Sequence, residues 1–228
     1  MSHYILVEGS SSAAGYSDEQ GKGGFIGRLE NHFREYSQEF KRRNGWNSVK
    51  QWVYVHNYAR VGNMPTQWAQ EFPYHAQEVA RFSGRSSVPR QHMLGMLVLE
   101  SHPLGIAEYY GPELHNSWLG ALASMEMVFS DYHGILQPMV IQMPLPERFV
   151  SQRGREIHTD LARLARKSAD SMEAHYIDIS EIPTLDRTKH VAEDGMHPSA
   201  AGHQVIFDYL LPIIYQKLQL EPLSEESP

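Results

Sequence analysis

Cysteine is absent from the 228 residues, which excludes disulfides, thiolate metal sites and thiol nucleophiles. Long apolar runs are absent as well; none approaches the roughly 18 residues that a membrane span needs. Basic charge is scarce: Lys and Arg number 20 against 27 Asp and Glu, a formal net charge of −7. That balance argues against a nucleic-acid partner, whose phosphates call for a basic surface. Charged residues make up only 21% and hydrophobic ones 41%, so the chain has the means to bury a core and is not read as disordered. The start, Met1-Ser2-His3, lacks the basic and then apolar pattern of a signal peptide, and a cytoplasmic location is expected. The length suits one domain, expected over residues 1–220. An acidic, proline-bearing tail over 221–228 is expected to fray. There is no internal repeat, and nothing in the sequence fixes an oligomeric state.

Five β-like segments alternate with helix-like ones. They are Tyr4–Val7, Gln51–Val55, Met93–Leu99, Met139–Met143 and Tyr176–Ile179. The third and fourth are nearly continuous apolar runs, as in strands covered on both faces. Between the fourth and fifth, Ile157, Leu161, Leu164, Ala165 and Met172 keep a helical spacing, with basic residues on the other faces. A last helix is expected over 199–218, with Pro198 in its first turn and Pro212 kinking or dividing it. This alternation predicts a three-layer α/β/α domain around a five-stranded parallel sheet, strand order 2-1-3-4-5. Sites in such folds gather at the carboxyl ends of the strands.

Two segments there can carry chemistry. After the first strand comes Gly9-Ser10-Ser11-Ser12-Ala13-Ala14-Gly15, whose small residues let a tight turn present one side chain. It is neither a dinucleotide fingerprint nor a P-loop, because the required glycines are missing and Gly21-Lys22 is followed by Gly23. A plain serine-rich turn is the alternative. The second is Asp194-Gly195-Met196-His197-Pro198. Its spacing can return the carboxylate to one imidazole nitrogen and leave the other as a base. Alone, such a pair reads as a helix cap. Together with a serine at the end of the first strand it reads as a nucleophile, a base and an orienting group. His190, His197 and His203 lie close in sequence, but no H-E-x-x-H or comparable ligand spacing appears. No metal and no cofactor is expected.

These blocks resemble those of the SGNH/GDSL-type serine hydrolases. The segment Ile5 to Gly15 aligns without a gap on the family's first block, and Asp194-x-x-His197-Pro198 with Gly202 matches its last. Asn57 and Gly62 match the second block. The resemblance implies a flavodoxin-like SGNH hydrolase fold and cleavage of an ester, or acetyl ester, through an acyl-enzyme. It implies Ser11 as nucleophile, His197 as base and Asp194 as its orienting carboxylate. The backbone N–H groups of Ser11 and Gly62 would serve the oxyanion. The third block departs from the family: it reads Glu100-Ser101-His102-Pro103, which places His102 where the family has an asparagine donor. The family's aspartate beside the serine is replaced by Ser10. Tyr109, Tyr110 and Trp118 follow this block as candidates to line an acyl or sugar pocket, with core packing as the plainer role. The expected partner is a small-molecule ester. A catalytically weak or inactive binding protein on the same scaffold is the alternative.

Overall fold

The structure is a computed structural model and describes residues 2–44, 52–82, 93–100, 111–131, 136–145 and 151–221. Five strands, β1 (His3–Glu8), β2 (Val53–Asn57), β3 (Met93–Leu99), β4 (Leu136–Gln142) and β5 (His175–Asp178), form one sheet in the order β2-β1-β3-β4-β5. Every pairing is parallel, the arrangement and order expected from the alternation. Parallel neighbours need long crossovers. These are supplied by α1 (Gly24–Asn44), α2 (Pro65–Phe82), α3 (Gly111–Asp131) and α4 (Gln152–Ser171), with α5 (Ala200–Leu218) following β5. Among the described residues no helix is long and apolar enough to cross a membrane.

Period-two alternation divides the strand side chains between two apolar layers. Ile5, Val7, Met96, Val98 and Ile141 pack with α1 and α5. Leu6, Leu97, Leu99 and Val140 pack with α2, α3 and α4. All seven residues of β3 are buried, which explains why it reads as an unbroken apolar run.

Strand boundaries differ from expectation by a few residues. β4 begins at Leu136, three residues early, and includes Pro138. β5 starts pairing only at Met139↔His175, so the proline lies where β4 has a single neighbour, a tolerated position. The last helix is one element, not two. Ser199 is its N-cap, accepting from the Gly202 N–H, and so Pro198 precedes the cap. Pro212 does not divide it: Pro212 and Asp208, whose carbonyl the missing N–H would have served, are both exposed, and water can satisfy the orphaned group. All of the expected tail except Glu221 lies outside the described residues.

The proline inside α2 is compensated differently. Pro73 cannot donate to the Ala69 carbonyl one turn back. The Ser124 hydroxyl of α3 donates to that carbonyl at 2.7 Å. Ser124→Ala should therefore cost about 1–3 kcal/mol, far more than its small volume change, measured as a lower urea midpoint with an unchanged m-value.

Candidate active site

The loop leaving β1 turns sharply: the Ala14 N–H donates to the Ser10 carbonyl and the Tyr16 N–H to the Ser11 carbonyl, both at 2.8 Å. Gly15 has φ +82°, and a Cβ there would lie 2.2 Å from the Gly23 carbonyl carbon. Only glycine allows this backbone-on-backbone approach. Gly202 has a similar reason, since its Cβ would lie 2.1 Å from the His190 carbonyl oxygen.

Ser11, His197 and Asp194 come together at the carboxyl ends of the strands. The Ser11 hydroxyl lies 2.9 Å from His197 Nε2, and His197 Nδ1 lies 2.7 Å from Asp194 Oδ2. Ser11 and His197 are buried. Asp194 is not the helix cap that its position suggested, because Ser199 fills that role. Instead Asp194 Oδ1 accepts the backbone N–H groups of Met196 (2.8 Å) and His197 (3.0 Å), while Oδ2 accepts from Ser17 Oγ at 3.0 Å. Burial alone would raise this carboxyl. The two backbone N–H groups, the imidazole and the Ser17 hydroxyl outweigh it and bring Asp194 down to about 2. An ionised Asp194 can only accept, so His197 carries its proton on Nδ1 and presents the Nε2 lone pair to Ser11.

The sequence reading missed several contributors. Ser17 holds φ +62°, a costly conformation for a non-glycine residue, and from it reaches Asp194. The Tyr16 ring stands edge-on to His197 at 4.8 Å. Glu100, fully buried at the end of β3, is the largest omission. Its carboxylate accepts the N–H groups of Ser10 (3.1 Å), Ser12 (2.9 and 3.0 Å) and Ala13 (3.2 Å). Its Oε2 also accepts from the Ser11 hydroxyl at 3.2 Å. The first block lacks its own aspartate, yet a carboxylate reaches this loop from a different strand. A hydroxyl has one proton, so Glu100 and His197 compete for it.

A second set of contacts joins the serine loop to the helix after His197. Arg28 of α1 donates to Asp18 at 2.5 Å and to the Ala200 carbonyl at 3.2 Å. Glu19 accepts the Ala200 N–H at 2.7 Å. His203, fully buried, accepts the Phe25 N–H on Nδ1 and so donates Nε2–H to the Tyr16 carbonyl; burial lowers its pKa and keeps it neutral. His190 Nδ1 accepts the Asp186 N–H at 2.9 Å. Both histidines are engaged by backbone groups and do not converge with His197 on a cation.

Asn57 of the second block donates to the Ala13 carbonyl at 3.1 Å, and Gly62 sits in the turn after β2 at φ +84°. His102, Tyr109 and Tyr110 lie outside the described residues. Trp118 corrects the expectation of a pocket role. It is 0% exposed in the apolar layer under α2 and α3, because α3 turns that face onto the sheet. Beside His197 is instead a small apolar recess of about 30 Å³, lined by Ser12, Met143, Ile179, Val191, Met196 and Ile206 among others. A larger cavity of about 320 Å³ opens by Leu136 and Pro138, at the start of β4 and away from this chemistry.

No protein-family model matches the chain, and no curated protein does. Solved structures do. They include the lipase Lip_vut3 from goat rumen metagenome, at TM-score 0.58 and 13% identity over 93% of this chain and 97% of that one. The α/β hydrolase LAE5 from the metagenome of Lake Arreo gives 0.55 and 16% over 95% and 96%. A catalytic mutant of the acetylxylan esterase Axe2 from Geobacillus stearothermophilus gives 0.55 and 14% over 94% and 95%. The chain has the fold of these hydrolases. The catalytic mutants of Axe2 replace a serine, an aspartate and a histidine, with the aspartate three residues before the histidine.

Two outcomes are expected. The stabilisation tied to Asp194 is fully present above its ordinary value of 3.8 and is lost as pH falls through about 2. Denaturation midpoints of Asp194→Asn should therefore fall less steeply over that interval than those of the unsubstituted protein. Glu100→Gln should cost at least about 1.5–3 kcal/mol, because an amide cannot accept all the donors that now converge on both oxygens; urea unfolding measures it.

Proposed function

We propose that the chain is a serine esterase of the SGNH type, working through an acyl-enzyme. The observation that carries this reading is the relay Ser11–His197–Asp194, with contacts of 2.9 and 2.7 Å at the carboxyl edge of a parallel sheet. Ser11 Oγ attacks the ester carbonyl while His197 Nε2 takes its proton, and Asp194 accepts from Nδ1–H and stabilises the imidazolium. Collapse of the tetrahedral intermediate returns that proton to the leaving alcohol. Water, activated by the same nitrogen, then releases the acid and frees Ser11. The N–H groups of Ser11 and Gly62, with His102 in place of the family asparagine, are the proposed donors to the oxyanion. The same residue types at the same Asp–His spacing in Axe2 support the assignment. The recess beside His197, about 30 Å³, supports a short acyl group such as acetyl. The proposed substrate is a small-molecule ester, and the relay calls for no cofactor.

Glu100 favours a second reading. A buried carboxylate 3.2 Å from the Ser11 hydroxyl competes with the base and opposes developing negative charge, as in a weak or inactive binding protein. A fluorophosphonate probe separates the two. Labelling of Ser11 that disappears in His197→Ala supports the esterase, and no labelling supports the binding protein. Ser11→Ala and His197→Ala should each remove nearly all ester hydrolysis, and the double variant should be scarcely worse, because the pair acts as a unit. His102→Ala should lower kcat by about 10²–10³ with little change in KM, as read from steady-state kinetics. For nitrophenyl esters, kcat/KM should fall at least about tenfold from acetate to longer chains.

A further inference from the structure

Just before the serine loop, β1 ends on a group that the hydrolysis does not use. Tyr4, Leu6 and Glu8 alternate onto the sheet face covered by α2. Glu71 and His75 stand one helical turn apart on α2, a spacing that puts both side chains on one face. One ligand atom from each of Glu8, Glu71 and His75 can be chosen such that all three lie within 4.8 Å of one another. Glu8 is 0% exposed and His75 is also buried. His75 Nδ1 meets Glu8 Oε1. The ring is held from behind by Tyr58, stacked at 3.8 Å and 7°, whose hydroxyl donates to Glu78 at 2.9 Å.

Two carboxylate oxygens in this cluster, Glu8 Oε2 and Glu71 Oε2, are buried with no hydrogen-bond partner among the described residues. Buried carboxylate oxygens are costly when unpaired, and here two carboxylates crowd each other. A proton shared between Glu8 and His75 satisfies Oε1 and Nδ1 but leaves both of those oxygens bare. A dication satisfies all of them and cancels both charges.

We infer that Glu8, Glu71 and His75 form a binding site for one divalent transition-metal ion of the zinc type. The donor set selects the class. One imidazole nitrogen with two carboxylates suits zinc and its first-row neighbours, whereas calcium and magnesium take oxygen ligands. Donor atoms this close can surround one ion at ligand distances of about 2.0–2.2 Å with small side-chain adjustments. Tyr58, stacked on the ring face, restricts the plane of the ligating imidazole. The ion would pin the end of β1, three residues before Ser11, to α2.

The test is Zn²⁺ titration of chelator-stripped full-length protein by calorimetry, with metal content and thermal melting in parallel and no substrate present. One equivalent should bind, and a hundredfold excess over Kd should raise Tm by about 5–10 °C. Glu71→Gln should weaken binding by at least about 100-fold without lowering the metal-free Tm, because it removes a crowded charge. Glu8→Gln should also lose the ion, and Glu71→Gln alone decides if Glu8→Gln does not fold. Absence of stoichiometric binding overturns the site. So does undiminished binding in Glu71→Gln, which would place the ion on other histidines. Neither result bears on fluorophosphonate labelling of Ser11.

Discussion

Four donors converge on the Glu100 carboxylate: three backbone N–H groups and the Ser11 hydroxyl. A tight turn exposes several N–H groups that neither helix nor sheet can satisfy, and burying them bare would cost more than the turn could recover. A carboxylate delivered from the end of β3 solves this in one step, since each oxygen has capacity for more than one donor. β3 is the central strand, buried along its whole length, so the turn that carries Ser11 is referenced to the most deeply buried part of the sheet. The distances to His197 and Asp194 have a fixed origin for that reason.

The opposing half of the site has its own anchor. Asp18, Glu19, Arg28 and His203 link the serine loop, the start of α1 and the start of α5 through alternating charges and backbone groups. Asp18 is held at about 2, burial notwithstanding, mainly by the Arg28 guanidinium and the Gly24 N–H. The ion pair is buried on both sides, a setting in which leaving either charge alone is expensive. Geometry at Ser11 is thus shared between two polar clusters, one under the loop and one beside it.

The sheet order and the Asp194–His197 pair were legible in the sequence because both rest on local, periodic or closely spaced signals, whereas Ser11 stands out among three serines only by the family resemblance. Met93–Leu99 is apolar throughout because it is central, and Asp194 and His197 are three residues apart. What stayed illegible came from residues whose meaning depends on distant partners. Glu100 is an unremarkable acid until β3 places it under a loop 89 residues away. Ser17 carries no motif, and its role follows from a left-handed backbone that nothing in its neighbours announces. Trp118 stays between pocket and core because an aromatic near a candidate site looks the same in sequence whether it faces substrate or core, and the core is where it lies. Glu71 and His75 show ligand spacing on one helix, but without knowledge that β1 brings Glu8 against them a search for a two-histidine pattern passes over the pair.

Ser11 and His197 are 186 residues apart in the chain. The loop bearing Ser11 belongs to the first strand, and His197 arrives only with the segment between β5 and α5. Contacts of such long range are assembled late, after much loop entropy has been surrendered. The contact of the serine loop with Glu100 spans 89 residues and so closes a shorter loop than the contact with His197. The 2.9 Å contact between Ser11 and His197 is therefore a property of the closed sheet, made only once the segment leading into α5 has docked.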